Sequence, residues 1–388
     1  MTMQSQHPTL DAAIALQSEL AARAPEMEDA RRLPADLAKK LAEGGLFLMV
    51  TPSAYGGLEC TPRQIVDAVE AVAEANASAG WCVMIGATTA MNAAYMEPAM
   101  AHEIYDDPMI ITGGVFAPMG KAVVDGDDYI VSGRWQWGSG SANCTWLCGG
   151  SMVFEDGELR TLPSGRPDAR MMIFPAAEVE LIDTWHVMGL KGTGSGDLAV
   201  ENVRVPKARS VSLVADKPLI DGALYKFPAF GLLSLGVAAT AMGNAKGALN
   251  AFIDLAGVKK SQGSRKTLGE RAPVLLETSR MMAAYRAARA YLHDEIEETW
   301  DVALNSDDIT VERRAALRMA CTHMVRTSAD ICRTCYDLGG GAALYEASDL
   351  QRRFRDAHAM TQHIVTAPST WELTGRLFFD LPTDASMI

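Results

Sequence analysis

The sequence has few basic residues and no long apolar run. Lys and Arg number 35 against 48 Asp and Glu, so the formal net charge is −13. This balance argues against nucleic acid as a main partner and gives no electrostatic reason to approach an anionic membrane. No segment approaches the roughly 20 apolar residues of a spanning helix, and the N-terminus lacks a signal-peptide pattern. We therefore predict a cytoplasmic protein that binds neither nucleic acid nor membrane.

The sequence also lacks motifs for a disulfide framework, a metal site or a phosphate loop. Its seven cysteines are scattered and odd in number, which does not indicate paired disulfides. Cys332 and Cys335 fall inside a helical pattern, so we interpret them as buried helical thiols. No histidine pair has metal-ligand spacing, and neither a G-x-S-x-G elbow nor a P-loop is present. We therefore predict no metal.

Hydrophobic periodicity divides the 388 residues into three regions. The first is helical and includes the charge-poor stretch Gly80–Met96, which should be buried on all sides. The second consists of short β-rich runs between turns, which predicts an antiparallel barrel or sandwich. The third returns to helices of about 25 to 30 residues, longer than usual, which predicts a four-helix bundle that also contacts other subunits. The predicted class is α+β, with an N-terminal α-helical domain at 1–110, a central β domain at 111–215 and a C-terminal bundle at 216–388.

Two of the long bundle helices have Ala- and Met-rich faces at helical spacing. We expect His323 to lie in the core of the second of these helices and His293 to be exposed on the first. The face on the first helix is Leu275, Ser279, Met282, Ala283, Arg286, Ala287 and Ala290, and the face on the second is Ala316, Met319, Ala320, His323, Met324 and Ile331.

The stretch from Tyr129 to Gly150 holds three of the seven tryptophans among glycines and small hydroxyls. Its segment Trp137-Gly138-Ser139-Gly140 combines a wide aromatic face, exposed backbone and a hydroxyl. A flat heteroaromatic ligand needs a wall to stack on, backbone near its polar edge and little steric bulk. A tight hairpin with core tryptophans has the same pattern, and this stretch alone does not separate the two interpretations.

Two further stretches contain candidate functional residues. The segment Gly192–Gly196 alternates glycine with Thr193 and Ser195, so it could present amides and hydroxyls to a phosphate or ribityl chain, although the segment alone fits a plain turn better. It follows no βαβ strand and is not a dinucleotide fingerprint. Near the C-terminus, His363 is flanked by apolar residues and should point inward, as a core histidine or as a ligand contact.

In this order, these pieces resemble the acyl-CoA dehydrogenase superfamily over nearly the whole chain. The matching motifs are Gly133-x-Trp135-x-Trp137-x-Ser139-Gly140, Gly189-Leu190-Lys191-x-Thr193-Gly194-Ser195, and Arg355-Asp356 after a glycine-rich turn. Dehydrogenases of this family need a carboxylate base. Here the corresponding segment reads Gln362-His363-Ile364-Val365-Thr366, with no carboxylate before Glu372, and the first bundle helix carries none in its opening segment.

A histidine at this place resembles the two-component, reduced-flavin-dependent monooxygenase branch of the superfamily. The resemblance implies FADH2 or FMNH2 as cofactor, a separate NAD(P)H:flavin reductase as partner, and dioxygen as co-substrate. It also implies a homotetramer and oxygenation of a small phenol- or indole-like compound through a C4a-hydroperoxyflavin. An apolar, water-excluding pocket with one hydroxyl at flavin N5 would suit that chemistry.

The resemblance also assigns site residues. Ser139, beside flavin N5, and His363, facing the substrate, are the predicted catalytic residues. Trp137 stands where this branch usually has Phe, and Arg265 is expected to reach the flavin phosphate of a neighbouring subunit. The predicted flavin-binding set is Trp135, Trp137, Ser139, Gly140, Thr193, Ser195, Arg265 and Gly340, and the predicted substrate pocket is Trp81, Thr89, Asn92, Phe116 and His363.

Two alternatives stay open at this point. The chain could be an acyl-CoA dehydrogenase whose base has been displaced, for example to Glu372. It could also be a non-catalytic subunit of a hetero-oligomer that has lost its base.

Overall fold

The computed structural model describes residues 7–260, 263–306, 308–386 and 388. This part of the chain contains six α-helices, then eight β-strands, then six more α-helices. The predicted order of helical, β and helical regions is therefore confirmed. Residues 1–6, assigned above to the first domain, lie outside the described residues, as do 261, 262, 307 and 387 of the predicted bundle domain. The proposed limits near 110 and 215 fall between secondary-structure elements and stay predictions.

The N-terminal helices start at residues that the sequence marks as caps. Thr61 and Gln64 form a capping box at the start of the fourth helix, and Asn76 caps the fifth through the amide of Ala79. The fifth helix is buried on almost every side, as predicted, but ends at Thr89 and continues as a 3-10 turn, Ala90–Tyr95. The helices are α1 Pro8–Ala22, α2 Ala24–Ala30, α3 Ala35–Glu43, α4 Pro62–Ala75, α5 Ala77–Thr89 and α6 Pro98–Tyr105.

The central strands form one mixed sheet in the order β6-β7-β2-β1-β3-β5-β8, with β4 paired to β3. The strands are β1 Thr112–Asp125, β2 Asp128–Trp135, β3 Trp146–Glu155, β4 Glu158–Leu159, β5 Ala169–Pro175, β6 Glu180–Ile182, β7 Asp197–Pro206 and β8 Ser210–Val211.

The prediction of an entirely antiparallel sheet was wrong in one strand pair. β1 and β2 form an antiparallel hairpin, but β3 pairs with the other edge of β1 and runs parallel to it. The segment 136–145 carries the chain from β2 across the end of β1 to that edge. This crossover is the Trp137–Gly140 stretch that the sequence singled out.

The C-terminal helices pack as the predicted bundle. α10 packs against α8, α9 and α11, and α8 also packs against α4 and α5, so the bundle and the N-terminal domain share one core. All seven cysteines are free, and Cys332 and Cys335 are buried in α10 as expected. The helices are α7 Ala223–Lys226, α8 Ala229–Val258, α9 Ala272–Asn305, α10 Val311–Gly339, α11 Asp349–Met360 and α12 Ser369–Leu377.

The two histidine predictions in the bundle were wrong. His293 is buried on α9 and His323 is exposed on α10. On α9 the core face is displaced by about one residue from the face singled out in the sequence, which is largely exposed, with Leu275 55% exposed. The apolar side chains of α9 lie on more than one side of the helix, so periodicity alone did not identify the side that meets the core. Among the described residues, no helix is both long and apolar enough to cross a bilayer.

Candidate active site

A line of hydrogen-bonded hydroxyls runs through the interface between the sheet and α5. Trp81 Nε1 donates to Ser139 Oγ at 3.0 Å, and Ser139 Oγ lies 2.7 Å from Ser195 Oγ. Ser195 Oγ is in turn 2.7 Å from Thr193 Oγ1, which donates to the carbonyl of Leu190 at 2.8 Å. Ser139 is only 5% exposed, and the other two hydroxyl residues are buried as well. We call Ser139, Ser195 and Thr193 the hydroxyl chain.

Backbone bonds hold the two segments of the hydroxyl chain together. The amide of Gly140 donates to the carbonyl of Thr193 at 2.8 Å, and that of Gly138 donates to Gly196 at 2.9 Å. Gly140 has φ +71°, a conformation that glycine adopts without the steric cost of a side chain. The crossover and the turn before β7 therefore form one rigid unit.

The turn that carries Thr193 and Ser195 is anchored to the bundle by Asp356. A carboxylate oxygen of Asp356 on α11 accepts from the amide of Leu190 at 2.6 Å, and Leu190 has an unusual φ of +53°. A Cβ on Gly189 would lie 2.2 Å from the carbonyl of Arg355, so this close approach requires glycine. Burial raises the pKa of Asp356 to about 6. The Arg355-Asp356 motif thus contacts backbone groups of the turn.

His363 lies on the other side of Trp81, just after α11. The two rings meet edge to face, with centroids 5.5 Å apart and planes at 67°. His363 Nδ1 accepts from the amide of Val365 at 3.4 Å, so the neutral ring carries its proton on Nε2. Burial, reinforced by the positive charge of Arg318, lowers the pKa of His363 to about 4. The imidazole is therefore neutral at neutral pH.

Phe230 and Arg318 extend this side of the site and were not predicted from the sequence. The Arg318 guanidinium donates to the carbonyl of Phe230 at 3.5 Å. The Phe230 ring meets Phe116 edge to face at 4.9 Å. Phe230 lies at the start of α8, whose first half carries no charged residue, which is a weak signal. Nothing distinguishes Arg318 from the other arginines of α10. We call Phe116, Phe230, Arg318 and His363 the histidine side.

The two tryptophans of the predicted flavin strand have different environments. Trp135 is 1% exposed, donates from Nε1 to the carbonyl of Gly150 at 2.6 Å, and packs in the sheet core beside Phe174. Trp137 is 59% exposed and has φ +69°. The structure therefore places the Trp135 ring in the sheet core, and its role as a flavin contact stays a prediction. Trp137 retains an open aromatic face.

The other predicted pocket and cofactor residues lie around these two sides. Asn92 is buried, with its side-chain amide facing Cys148 Sγ at 3.9 Å, and Thr89 is partly exposed at the end of α5. Gly340 ends α10 with φ +54°, and Arg265 is exposed in the turn between α8 and α9. Both lie at the bundle end where Lys259 Nζ contacts the Gly339 carbonyl. The contact of Arg265 with the flavin phosphate of a neighbouring subunit and the contact of Gly340 with flavin both stay predictions.

A separate cluster near α4 and α9 has the composition of a metal site but contains its own cation. Potential ligand atoms of Asp67, Glu70 and His293 lie within 4.8 Å of one another. The Arg289 guanidinium donates to Glu70 at 2.9 Å and to Asp67 at 3.4 Å. Burial, together with Arg289 and Arg63, lowers the pKa of His293 to about 3. We interpret the cluster as an ion-pair network between the two helices.

The residues around Ser139 fit a flavin ring by their chemistry. Trp137 offers an exposed aromatic face, and Ser139 offers a hydroxyl beside an apolar indole. Reduced flavin needs a dry, mostly apolar site with a polar partner at its central ring. The aromatic face of Trp137 and the hydroxyl of Ser139 are both present on the crossover segment, and the indole of Trp81 on α5 lies beside them.

The sequence matches the N-terminal domain of acyl-CoA dehydrogenase over residues 11–99 and its C-terminal domain over 235–368. It is 29% identical over 360 residues to an indole-3-acetate monooxygenase of Pseudomonas putida, covering 92% of this chain and 90% of that one. It is 32% identical over 372 residues to a pigment production hydroxylase of Rhodococcus erythropolis, covering 92% of each.

The third comparison is with a protein of Mycobacterium tuberculosis named flavin-dependent monooxygenase, oxygenase subunit HsaA. That sequence is 29% identical to this one over 385 residues, 95% of each chain. A crystal structure of the HsaA monooxygenase superposes with a TM-score of 0.88 at 28% identity, covering 98% of this chain and 99% of that one. The chain therefore belongs to the acyl-CoA dehydrogenase family, and within that family it is a flavin-dependent monooxygenase.

Proposed function

We propose that the chain is the oxygenase component of a two-component system that acts on a small phenol- or indole-like compound. It would receive reduced FMN or FAD from a separate NAD(P)H:flavin reductase. The observation that carries this proposal is a neutral, partly buried His363 in ring contact with Trp81, which is itself bonded to Ser139. This arrangement provides one polar group for the flavin and another for the substrate, separated by an apolar indole.

Reduced flavin supplies, when bound, the two electrons with which dioxygen gives one oxygen atom to the substrate and one to water. The protein residues bind and orient both molecules. We assign Ser139 to flavin N5 and Trp137 to the flavin ring. Phe116 and Phe230 provide apolar edges for an aromatic substrate and exclude water from it.

His363 is the group that we assign to the substrate. Its low pKa keeps the ring neutral, so it can hydrogen-bond a phenol oxygen or accept a proton from a phenol or indole. The Val365 contact leaves Nε2–H as a donor in the resting state. Proton acceptance at Nδ1 requires that contact to open, and at 3.4 Å it is longer than the bonds of the hydroxyl chain.

The direct test supplies the protein anaerobically with chemically reduced FMN or FAD and then mixes it with oxygen. We expect a transient absorbance that belongs to neither reduced nor oxidised flavin. Product analysis with indoles, phenols and thioethers plus a generic flavin reductase then identifies the substrate class. Indoles belong in the panel because one relative is named for an indole substrate. Absence of the transient, with and without aromatics, contradicts the proposal.

The dehydrogenase alternative has weaker support. Glu372, the displaced base considered above, is exposed on α12, and an exposed carboxylate is poorly suited to abstract a proton in a dry site. That alternative predicts flavin retained through purification and bleached by an acyl-CoA. A non-catalytic subunit, in turn, predicts no oxygen chemistry without a second chain.

We further propose a cytoplasmic homotetramer. Large apolar side chains are exposed on two C-terminal helices and just beyond, including Leu275 and Leu276 on α9 and Phe379, 79% exposed, after α12. Exposed apolar groups of this size favour contacts between subunits. Light scattering should give four times the chain mass of 41.6 kDa, and a monomer would contradict this part of the proposal.

A further inference from the structure

The hydrogens of the hydroxyl chain can be arranged in only one direction. The Leu190 carbonyl only accepts, so the Thr193 hydroxyl must donate to it. Each hydroxyl has one hydrogen, so Thr193 accepts from Ser195, and Ser195 in turn accepts from Ser139. At the other end, the Trp81 indole only donates, which agrees with its bond to Ser139.

This direction determines what Ser139 can offer to a ligand. Its hydrogen is used by Ser195 and one lone pair receives the Trp81 N–H. The remaining lone pair can accept a hydrogen bond, but no hydrogen is left to donate. Because the three hydroxyl residues are buried, reversing the chain would set the lone pairs of Thr193 Oγ1 and of the Leu190 carbonyl oxygen against each other across a buried 2.8 Å contact, which is costly. Hydrogen bonds that run in one direction polarise one another, so the bond that Ser139 donates to Ser195 also makes the Ser139 oxygen a stronger acceptor.

The two redox states of a flavin differ at the atom assigned to Ser139. Reduced flavin carries a hydrogen on N5 and donates it, whereas N5 of oxidised flavin has only a lone pair and accepts. We infer that the hydroxyl chain makes this site selective for reduced over oxidised flavin, because Thr193 and Ser195 hold Ser139 as an obligatory acceptor. Thr193 and Ser195 are positioning residues in this scheme. The inference rests on the proposed placement of Ser139 at N5.

The selectivity matches the needs of an oxygenase component. Such a protein must take reduced flavin from solution and release the oxidised form after each turnover. The remaining lone pair of Ser139 accepts a hydrogen bond from the N5–H of reduced flavin. The same lone pair repels the N5 lone pair of oxidised flavin. The Asp356 bond to Leu190 secures the acceptor end of the chain and so preserves the direction.

The experiment measures dissociation constants of reduced and oxidised flavin, anaerobically and with the same flavin, for the wild type and four variants. We expect the wild type to prefer the reduced form by at least about tenfold, the scale of one buried hydrogen bond. Thr193→Val frees the Ser195 hydrogen to turn toward Ser139, and Ser195→Ala frees the Ser139 hydrogen itself. Both variants should lower the preference about tenfold, which lowers the two-electron potential of bound flavin by about 30 mV.

Two further variants serve as controls. Thr193→Ser keeps a hydroxyl at the same place and should keep the wild-type preference. Trp81→Phe removes the N–H that donates to Ser139, at the end of the hydroxyl chain opposite Leu190. The Leu190 carbonyl still sets the direction of the hydrogen bonds, so the preference for reduced flavin should stay within about twofold of the wild type. Thermal unfolding of each variant checks that the fold persists, and Ser195→Ala provides the answer if Thr193→Val does not fold.

The outcomes separate this inference from the proposed function. If the wild type forms the oxygen-dependent transient but Thr193→Val and Ser195→Ala keep its preference, the inference is overturned and the proposed function stands. If the wild type binds neither form of flavin, both are overturned. A preference that falls in Thr193→Ser as much as in Thr193→Val also overturns the inference, because the hydroxyl would then not be the cause.

Discussion

The hydroxyl chain and the histidine side differ in how firmly they are held. The first has bonds of 2.7–3.0 Å from Trp81 to the Leu190 carbonyl. The second has ring contacts and hydrogen bonds of 3.4 and 3.5 Å. The hydroxyl chain is thus held by short hydrogen bonds, whereas the two hydrogen bonds described on the histidine side are longer and therefore weaker. Variants of the two sides test this difference, from the largest expected effect to the smallest.

Removing the histidine gives the largest expected effect. His363→Ala should lower product formation roughly 10²- to 10⁴-fold, the range for loss of a general acid or base. Flavin dissociation constants should stay near the wild type, because the hydroxyl chain does not include His363. Single-turnover product yield with pre-reduced flavin is the measurement, and His102→Ala, an exposed histidine on α6, is the matched control.

The pH profile sharpens that prediction. The pKa of His363 is lowered to about 4, so the neutral ring is present above that pH and product formation should fall only as the pH drops through about 4. Arg318→Met removes the neighbouring positive charge and should move this acid limb upward. An acid limb near the ordinary histidine value in the wild type, or unchanged product yield in His363→Ala, would contradict the assignment.

Trp135→Ala tests whether the Trp135 ring belongs to the sheet core that lies behind the crossover. The ring lies against Gly120 and Gly149 and is fully buried. Its loss should lower the free energy of unfolding by about 3–5 kcal/mol, as for other large core truncations. Urea unfolding is the measurement. A change below about 1 kcal/mol, the typical value for exposed sites, would show that the ring is not core.

Asp356→Asn tests the anchor between the two sides. Because the pKa of Asp356 is raised to about 6 in the folded state, from an ordinary 3.8, the folded chain favours the neutral acid. The contribution of Asp356 to the free energy of unfolding is present below about pH 4 and is lost as the pH rises through about 6. The variant keeps an acceptor for Leu190 but never ionises.

Between pH 4 and pH 7, the free energy of unfolding of the wild type should therefore fall by roughly 1–3 kcal/mol relative to that of Asp356→Asn. Urea unfolding at several pH values gives this difference. Asp330→Asn, an exposed carboxylate on α10, is the control. The prediction would be contradicted if the free energies of unfolding of the wild type and of Asp356→Asn differed by the same amount at pH 4 and at pH 7.

Trp137→Ala should have the smallest effect and complete the comparison with Trp135. The ring is 59% exposed, so stability should change by less than about 1 kcal/mol. Flavin binding should weaken about tenfold through loss of stacking. Trp137→Phe keeps an aromatic face and should restore most of the affinity in a fluorescence titration. Weakening in the Phe variant equal to that in the Ala variant would argue against stacking.

The sequence predicted elements better than contacts. Helical periodicity and caps such as Thr61 identified the three regions, because those signals are local. Trp135 and Trp137 share one motif, and only the path of the crossover decides which ring faces the core. The pairing of β3 with β1 likewise depends on where that crossover goes. Arg318 escaped prediction because its role comes from Phe230 and His363, which are distant in sequence.

The bond between Asp356 and Leu190 has a consequence for how the protein folds. The two residues are 166 positions apart, and contacts between such distant positions form late because a long loop must first close. The crossover and its turn can form with the sheet, but the turn gains its outer anchor only after α11 has docked. An incompletely folded chain therefore lacks the anchor of the turn that carries Thr193 and Ser195, the proposed positioning residues.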